Sequence, residues 1–489
     1  MDAPLSAIVI GAGFSGLAAG VELRKAGVTD FVILEKASKV GGTWRENTYP
    51  GAACDVPSHL YSYSFEPNPT WSRAYGGQAE ILAYLEHVAD KYGLRAHVRF
   101  GQHVEEARFD EHSGTWLVTT AGGEHFTARS IVLGNGALHL PQSPDIPGLA
   151  SFAGRQFHSA QWDHDYDLTD KRIAVIGTGA SAIQFVPLIA PKVKQLHVFQ
   201  RTAPWIVPKN DRVMSRAERW LFDRIPATHW LRRAGLYWLM ESRVIGFAFA
   251  PKVNELLEKL VVRFIRSQVR DPALRAKLTP HYRFGCKRVL ISNDYYPAMQ
   301  RPNVEVVTEH IAGITPKGIR LADGTEREVD AIICGTGFRV SEYLSSIRII
   351  GRHGVELNES WRTSLRNYLG ITVSGFPNLF LLMGPNTGLG HNSMIFMIEA
   401  QARYATQAIA ALRERNLTFI DVRPAVEQAF RAELAHKMKN TVWATGCQSW
   451  YQTKDGEVFL WPGATFDYWW RTRRVDLEDF EQRGVPEQR

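Results

Sequence analysis

Cysteine is scarce in this chain of 489 residues, and its placement excludes several classes of protein. The four cysteines are Cys54, Cys286, Cys334 and Cys447, and no two of them form a C-x-x-C pair. Such scattered thiols argue against a disulfide scaffold, a zinc site and a dithiol redox centre. We therefore predict four ordinary thiols and no metal site.

Long apolar runs are also absent. No uncharged apolar run approaches the roughly 20 residues that a membrane span needs, and the candidate run Val244 to Ala250 is far shorter. The N-terminal residues lack the basic segment of a secretory signal and lead directly into a glycine-rich loop. We therefore predict a cytoplasmic protein without a transmembrane segment.

The net charge of +7 is unevenly distributed. Between Lys209 and Arg288 there are 18 Lys or Arg and 7 Asp or Glu, and apolar residues recur there at helical spacing. We interpret residues 209–280 as a helical insertion. Its basic apolar faces could cover a substrate cavity, lie on a membrane surface or simply face solvent. No nucleic-acid-binding module accompanies them, so we expect no nucleic-acid partner.

A short apolar strand at the N-terminus leads into the loop G-A-G-F-S-G and then into a helix. Gly11, Gly13 and Gly16 occupy the three glycine positions of a dinucleotide-binding fingerprint. There they allow a tight turn, the approach of backbone to a pyrophosphate and close packing of helix on strand. Glu35 ends the next strand, where a carboxylate can accept hydrogen bonds from ribose hydroxyls.

A second fingerprint, G-T-G-A-S-A, follows another apolar strand. Gly177 and Gly179 hold its first two positions, Ser181 precedes the third, and Ala182 replaces the third glycine. Alanine is tolerated at that position. The sequence therefore predicts two separate dinucleotide sites.

The two sites differ in the residue that ends their second strand. Arg201 lies 24 residues after Gly177, as Glu35 lies 24 residues after Gly11. A carboxylate suits free ribose hydroxyls and repels a 2′-phosphate, whereas a guanidinium binds such a phosphate. We infer FAD in the first site and NADPH, rather than NADH, in the second, with the Thr202 hydroxyl assisting Arg201.

A loop rich in glycine and aromatic residues follows the first site. It covers residues 41–55 with the sequence G-G-T-W-R-E-N-T-Y-P-G-A-A-C-D and precedes H-L-Y-S-Y-S-F. Large planar side chains at this density indicate contact with a planar ligand. The cofactor-binding residues that we assign here are Gly42, Thr43, Trp44, Asp55 and Tyr61.

Two further segments lie where they could contact both cofactors. The segment 152–163, F-A-G-R-Q-F-H-S-A-Q-W-D, links the two fingerprints, and its His158 and Trp162 could couple the sites or merely pack. After the insertion, F-G-C-K-R-V-L-I-S-N-D-Y-Y predicts a strand that starts with Lys287 and Arg288. Adjacent residues of a strand point to opposite faces, so one cation could meet the NADPH phosphate while the other enters the active site.

These motifs together resemble the type I Baeyer-Villiger monooxygenases, a family of class B flavoprotein monooxygenases, over essentially the whole chain. Two long family signatures carry the resemblance. The signature F-x-G-x-x-x-H-x-x-x-W-P/D is matched by Phe152, Gly154, His158, Trp162 and Asp163. The signature A/G-G-x-W-x-x-x-x-Y-P-G-x-x-x-D is matched by Gly41, Gly42, Trp44, Tyr49, Pro50, Gly51 and Asp55.

The resemblance implies an α/β fold with two Rossmann-type domains and a helical insertion. We expect a discontinuous FAD-binding domain over 1–140 and 341–489, an NADPH-binding domain over 150–208 and 281–340, and the insertion over 209–280 as a cover for the substrate cavity. It further implies insertion of one atom of O2 beside a ketone carbonyl, through a flavin peroxide, to give an ester or lactone. Arg288 would be the catalytic arginine and Asp55 would orient it. Lys287, Arg201 and Thr202 would bind the 2′-phosphate.

Other functions share part of this pattern. A flavin-containing monooxygenase that oxidises sulfur or nitrogen has the same cofactor motifs, but its relatives lack equivalents of Trp162, Asp55 and Arg288. A flavin-binding redox sensor or a membrane-associated binding protein remains a non-enzymatic alternative. We expect a ketone and O2 as small-molecule partners, peripheral membrane contact at most, and a monomer or weak homo-oligomer.

Overall fold

The computed structural model describes residues 3–250, 252–340, 344–362, 364–444, 446, 451–452 and 456–484. Two sheets dominate it, each with buried strands and helices packed on its faces. The predicted α/β class, with two dinucleotide-binding domains and a helical insertion, is confirmed. The strands of the fingerprints are mainly apolar, as expected for parallel strands that are covered on both faces.

The larger sheet contains strands from the N-terminal and the C-terminal parts of the chain. Its order is β17-β4-β5-β6-β1-β2-β3, and β18 pairs with the second half of β6. The strands are β1 (Leu5–Ile10), β2 (Phe31–Glu35), β3 (Val98–Phe100), β4 (Val104–Asp110), β5 (Thr115–Thr120), β6 (His125–Leu133), β17 (Arg348–Ile350) and β18 (Leu379–Leu381).

Helices from both chain ends cover the larger sheet. The first fingerprint helix, α1, packs against α11, the long helix after the last strand of the sheet. The hairpin of β19 (Leu417–Val422) and β20 (Phe480–Gly484) lies outside the sheet. The helices are α1 (Phe14–Lys25), α2 (Thr43–Glu46), α3 (Gln78–Lys91), α10 (Leu357–Trp361), α11 (Met394–Glu414), α12 (Pro424–Met438) and α13 (Thr465–Thr472).

The smaller sheet is entirely parallel, with the order β12-β9-β8-β16-β7. Its strands are β7 (Arg155–His158), β8 (Arg172–Ile176), β9 (Gln195–Phe199), β12 (Val304–Val307) and β16 (Ala331–Cys334). Helices α4 (Ala182–Ile189) and α9 (Tyr295–Met299) pack together beside it. Short strands β10 (Ile206–Val207) and β11 (Leu290–Ile291) pair, and β13 (Ile311–Thr315), β14 (Gly318–Leu321) and β15 (Glu326–Glu328) form a meander.

The described residues of the predicted insertion form four α-helices and one short π-helical turn (Ile245–Phe249): the α-helices are α5 (Arg216–Arg224), α6 (Pro226–Glu241), α7 (Val253–Gln268) and α8 (Pro272–Leu278). Helix α6 is anchored at its end by Glu241, which accepts hydrogen bonds from the Thr465 backbone N–H at 2.5 Å and from Asn392 Nδ2 at 2.6 Å. The insertion is thus attached to the larger unit as well as to the smaller one. The exact domain boundaries stay a prediction.

Two details of the sequence analysis need correction. Lys287 and Arg288 lie in the loop before β11, which begins only at Leu290, so strand alternation does not separate them. Cys286 is disulfide-bonded, whereas Cys54 and Cys334 are free and buried. The prediction of ordinary thiols is therefore confirmed for two cysteines and wrong for Cys286, because pairing of distant cysteines depends on the fold. Cys447 lies outside the described residues.

Within the described ranges, no helix has the length and apolar character required to cross a bilayer.

A buried pair of histidines joins helix α6 to the loop after Asp55. His59 Nδ1 lies 2.9 Å from His229 Nε2, and both rings pack against Phe222. Burial, together with the neighbouring His229, lowers the pKa of His59 to about 3, and burial also lowers the pKa of His229. Both rings are therefore neutral in the folded protein at neutral pH.

We expect this pair to make the protein sensitive to mild acid. As pH falls below about 6.5, the unfolded chain takes up protons on these histidines while the folded chain resists, so stability is lost progressively towards about pH 3. Thermal unfolding measured between about pH 7 and about pH 5 should give a steeper decline in Tm for the parent protein than for His59→Gln/His229→Gln. An equal slope in both proteins would contradict this assignment.

Candidate functional site

A continuous cavity of about 1370 Å³ lies where the two sheets meet. It opens at the carboxyl ends of β1, β8 and β16, where Gly11, Gly177 and Gly335 line it. Ligands bind at these strand ends in doubly wound folds. The volume exceeds the range of roughly 300–1,000 Å³ usual for a single small ligand, so the cavity has room for more than one.

Most of the predicted site residues line this one cavity. They are Gly11, Gly13, Glu35, Gly42, Thr43, Trp44, Asp55, Tyr61, Gly177, Gly179, Ser181, Arg201, Thr202, Lys287 and Arg288. Gly16, Ala182 and the five matched residues of the segment 152–163 are described but lie outside its lining. None of the described residues that line it comes from 209–280, so a covering role for the insertion stays a prediction.

The glycines of the first loop are required by close contacts. Gly11 has φ of +95°, and a Cβ there would lie 2.9 Å from the Gly134 carbonyl oxygen. A Cβ on Gly16 would lie 1.7 Å from the Gly11 carbonyl oxygen. A Cβ on Gly13 would instead lie 3.6 Å from the Gly42 Cα, which is ordinary van der Waals contact. The backbone at Gly13 is therefore open to a ligand, as a pyrophosphate site requires.

Glu35 is buried at the end of β2 and holds the first loop from the side. Its carboxylate accepts hydrogen bonds from the backbone N–H of Ala12 at 2.7 Å and of Ala37 at 3.0 Å. The Arg45 guanidinium lies 3.2 Å from the same carboxylate. This acid is thus fixed where the fingerprint places the ribose-binding carboxylate.

The aromatic loop forms one wall beside the first glycine loop. Trp44 Nε1 donates to the Tyr61 hydroxyl at 3.1 Å, and their rings meet edge to face. Phe14, at the start of α1, contacts Tyr61 in the same way, with ring centroids 5.2 Å apart. The planar side chains predicted from the sequence are therefore held rigidly by one another.

The second glycine loop has the same tight turn as the first, but its second glycine has no close neighbour. Gly177 has φ of +109°, and a Cβ there would lie 2.4 Å from the Gly335 carbonyl oxygen. A Cβ on Gly179 would meet no atom within 4 Å, because Gly179 faces the cavity. Helix α4 begins three residues later, so its N-terminus points at the same space.

Two cations converge beside the second loop. Arg201 and Lys287 both line the cavity, and burial together with the charge of Arg201 lowers the pKa of Lys287. The Lys287 ammonium also lies 4.8 Å from the centroid of the Tyr282 ring. Arg201 follows β9 and Lys287 precedes β11, and a role of the two in binding a 2′-phosphate stays a prediction.

Arg288 turns away from this pair towards the aromatic loop. Its Nε and one terminal nitrogen donate to Asp55 Oδ2 at 2.8 and 2.6 Å. Both side chains are partly exposed to the cavity, Arg288 at 30% and Asp55 at 25%. The charge of Asp55 raises the pKa of Arg288 despite burial, so the guanidinium stays fully charged.

Tyr451 is a site residue that sequence reasoning did not assign. It is 2% exposed, lines the cavity and acts electrostatically on Arg288. Burial raises the pKa of its phenol, and the charge of Arg288 opposes that rise. The only signal in the sequence was the run S-W-Y at residues 449–451, and nothing in that run shows that this part of the chain returns to the cavity.

The linker segment packs at the junction between the two units. His158 ends β7, which pairs with β16, and its Nδ1 accepts from the Ala160 backbone N–H at 3.1 Å. Its ring contacts Phe338, which lines the cavity, and burial lowers its pKa. Trp162 packs on Phe157 and Phe185 in the core of the smaller unit. The coupling role of the segment stays a prediction.

Comparisons with known proteins agree with this geometry. Residues 8–225 match a family model described as pyridine nucleotide-disulphide oxidoreductase. A Baeyer-Villiger monooxygenase of Pseudomonas aeruginosa is 48% identical over 481 residues, which are 98% of this chain and 91% of that protein. One of Streptomyces coelicolor is 49% identical over 479 residues, covering 97% of this chain and 92% of that protein.

Two solved structures are similar over almost the whole fold. An oxidised steroid monooxygenase bound to NADP superposes with a TM-score of 0.89 at 33% identity, covering 99% of this chain and 100% of that one. A cyclohexanone monooxygenase from Rhodococcus sp. Phi1 bound to NADP+ gives 0.90 at 29% identity, with coverage of 99% and 100%.

Two glycines of the second loop should respond differently to alanine. Gly177→Ala should destabilise the fold by about 1–3 kcal/mol or more, because a Cβ there meets the Gly335 carbonyl and the backbone is left-handed. Gly179→Ala should leave Tm unchanged but weaken NADP+ binding by roughly 10- to 100-fold, since it obstructs one backbone contact with phosphate. Thermal unfolding and titration calorimetry would measure both. Unchanged NADP+ affinity in Gly179→Ala would exclude a pyrophosphate at this loop.

Proposed function

The chain belongs to the Baeyer-Villiger monooxygenases, and from this premise we propose that it inserts one oxygen atom of O2 beside the carbonyl of a ketone. The overall reaction consumes a ketone, O2, NADPH and one proton, and yields an ester or lactone, water and NADP+. The observation that carries the proposal is the Arg288–Asp55 ion pair in a cavity shared by two dinucleotide loops. A cytoplasmic location and a monomer or weak homo-oligomer belong to the same proposal.

FAD and NADPH are the two cofactors. When bound, NADPH supplies an electron pair and FAD passes it to O2. The residues that would hold FAD are those of the first glycine loop, with Glu35 on the ribose and the Trp44 wall beside the ring system. The second loop would hold the NADPH pyrophosphate, with Arg201, Thr202 and Lys287 on its 2′-phosphate.

Arg288 would act as a fixed cation. Its guanidinium does not release a proton at ordinary pH, and the charge of Asp55 raises its pKa further. A general-acid role is therefore unsuitable, and an electrostatic role fits. Negative charge develops on the ketone oxygen when a nucleophile adds to the carbonyl, and a fixed cation in a site of low dielectric stabilises such charge strongly.

Asp55 and Tyr451 would position that cation. The carboxylate of Asp55 holds two nitrogens of the guanidinium through a single oxygen, which fixes the plane of Arg288. The buried phenol of Tyr451 interacts with Arg288 as well. With these contacts formed by neighbours, the cation needs little rearrangement during the reaction.

A ketone panel with Arg288→Ala tests this proposal. The parent holoenzyme should convert at least one linear, cyclic, aromatic or steroid ketone to a product heavier by one oxygen atom, with an ester fragmentation pattern. Arg288→Ala should lose roughly 100- to 1,000-fold of that activity while NADPH still reduces FAD. Arg283→Ala, an exposed arginine of the same loop, serves as the matched control.

Other outcomes would contradict the proposal. Ester formation at the parent rate in Arg288→Ala would remove the arginine from the mechanism. Oxidation of sulfides or amines with no ketone converted would indicate a flavin-containing monooxygenase for sulfur or nitrogen instead. A FAD-loaded protein that consumes no NADPH with any substrate would indicate a redox sensor or binding protein.

The choice of NADPH over NADH depends on Arg201. Removing one guanidinium from a phosphate should cost about 1.5–3 kcal/mol, so Arg201→Gln should raise KM for NADPH by roughly 10- to 100-fold. KM for NADH, which has no 2′-phosphate, should change little. Steady-state kinetics with both cofactors measures the ratio, and an equal effect on both would show that Arg201 does not recognise the phosphate.

A further inference from the structure

Exposed apolar side chains are concentrated in the helical insertion. Of the nineteen large apolar side chains that are exposed among the described residues, thirteen lie between Val213 and Leu260. Surface apolar residues are ordinary when scattered, but a contiguous group marks an interaction site. Because no described residue of 209–280 lines the main cavity, enclosing ligands there does not explain this group.

The exposed side chains recur on α6, on the helical turn after it, which contacts α7, and on α7 itself. On α6 and the helical turn after it, the intervals between them are seven, one, six and four residues, and Leu231 and Trp238 lie two turns apart on one face of α6. The row on α7 follows the i, i+3, i+4, i+7 pattern. The members, all between 37% and 63% exposed, are Leu231, Trp238, Leu239, Ile245, Phe249, Val253, Leu256, Leu257 and Leu260. We call this set the apolar ridge.

Basic side chains flank the ridge on α7. Lys252 precedes the helix, and Lys259, Arg263 and Arg266 follow at spacings of seven, four and three residues. Those spacings place all four on one side of the helix, next to the exposed apolar row. All four are exposed, so their charges face solvent.

Aromatic residues extend the ridge onto the larger unit. Trp230, Trp238 and Trp469 line one small surface cavity of about 200 Å³. Trp469 stacks on Phe466, and the guanidinium of Arg473 lies 3.6 Å above the ring of Trp470. Phe466 and Trp470 are about half exposed. Tryptophan and arginine together are typical of surfaces at the boundary between lipid and water.

We propose that the apolar ridge docks on the surface of an anionic lipid bilayer. Apolar side chains beside a row of cations match acyl chains beneath negatively charged headgroups. A second copy of the chain is the poorer occupant, because a self-complementary contact would bring the same excess of 18 basic over 7 acidic residues against itself. With no helix in the described chain able to span a bilayer, the contact is peripheral.

Vesicle sedimentation with the FAD-loaded full chain tests this proposal. The protein should partition onto vesicles of equimolar phosphatidylcholine and phosphatidylglycerol, and less onto phosphatidylcholine alone. Lys259→Gln/Arg263→Gln/Arg266→Gln should weaken partition onto the anionic vesicles by roughly 100-fold, at about 1 kcal/mol for each charge near the surface. Raised salt should weaken the parent in the same direction.

Apolar variants test lipid contact by the ridge, and a control variant tests whether the loss of any exposed apolar side chain has the same effect. Trp238→Ser/Phe249→Ser should lose roughly tenfold or more on both kinds of vesicle, since each side chain would leave the lipid. Leu117→Ser/Val355→Ser replaces exposed apolar residues elsewhere and should partition like the parent. FAD content and Tm equal to the parent's establish that the variants are folded.

Three results would overturn the proposal. Equal partition onto neutral and anionic vesicles would exclude recognition of anionic lipid. The same conclusion would follow if Lys259→Gln/Arg263→Gln/Arg266→Gln bound like the parent. A concentration-dependent dimer abolished by Trp238→Ser/Phe249→Ser, without vesicle binding, would make a second copy the occupant instead. Enzyme activity in solution is a separate measurement, so failure here leaves the proposed monooxygenase reaction untouched.

Discussion

The ion pair between Arg288 and Asp55 is the interaction on which the site depends. Asp55 belongs to the aromatic loop of the larger unit, and Arg288 to a loop of the smaller unit, 233 positions later. The pair exists only if both units face each other across the cavity. The pair also stabilises the arginine in that arrangement, because the carboxylate offsets the cost of burying a cation.

A second contact holds the units in the same relation. The Tyr49 hydroxyl donates to Gln184 Oε1 at 2.9 Å, and Gln184 Nε2 donates to the Ala53 carbonyl at 2.9 Å. Gln184 lies on the helix that starts at the second glycine loop, so the aromatic loop of one site contacts the helix of the other. A movement of the smaller unit would therefore displace the aromatic loop, which we predict to contact the flavin.

Much of this could be predicted because the features are local. Each glycine loop needs strand, turn and helix within a few residues, and Glu35 and Arg201 follow at a fixed spacing. The sequence predicted the pairing of Arg288 with Asp55 but not the loop that carries Arg288, since the conformation of that loop is set by contacts distant in sequence. Tyr451 and the bonded Cys286 were missed for the same reason: nothing near either residue reveals its neighbour in space.

The larger sheet has a consequence for biosynthesis. Trp116 donates to the carbonyl of Pro377, 261 positions later, and β6 gains β18 only from that part of the chain. At about 5–20 residues per second, a ribosome needs on the order of 10 to 50 s to supply it. The smaller sheet, whose strands all lie within 155–334, can close during that interval. The larger sheet, whose first strands are made earliest, can therefore be completed only after every strand of the smaller sheet has been synthesised.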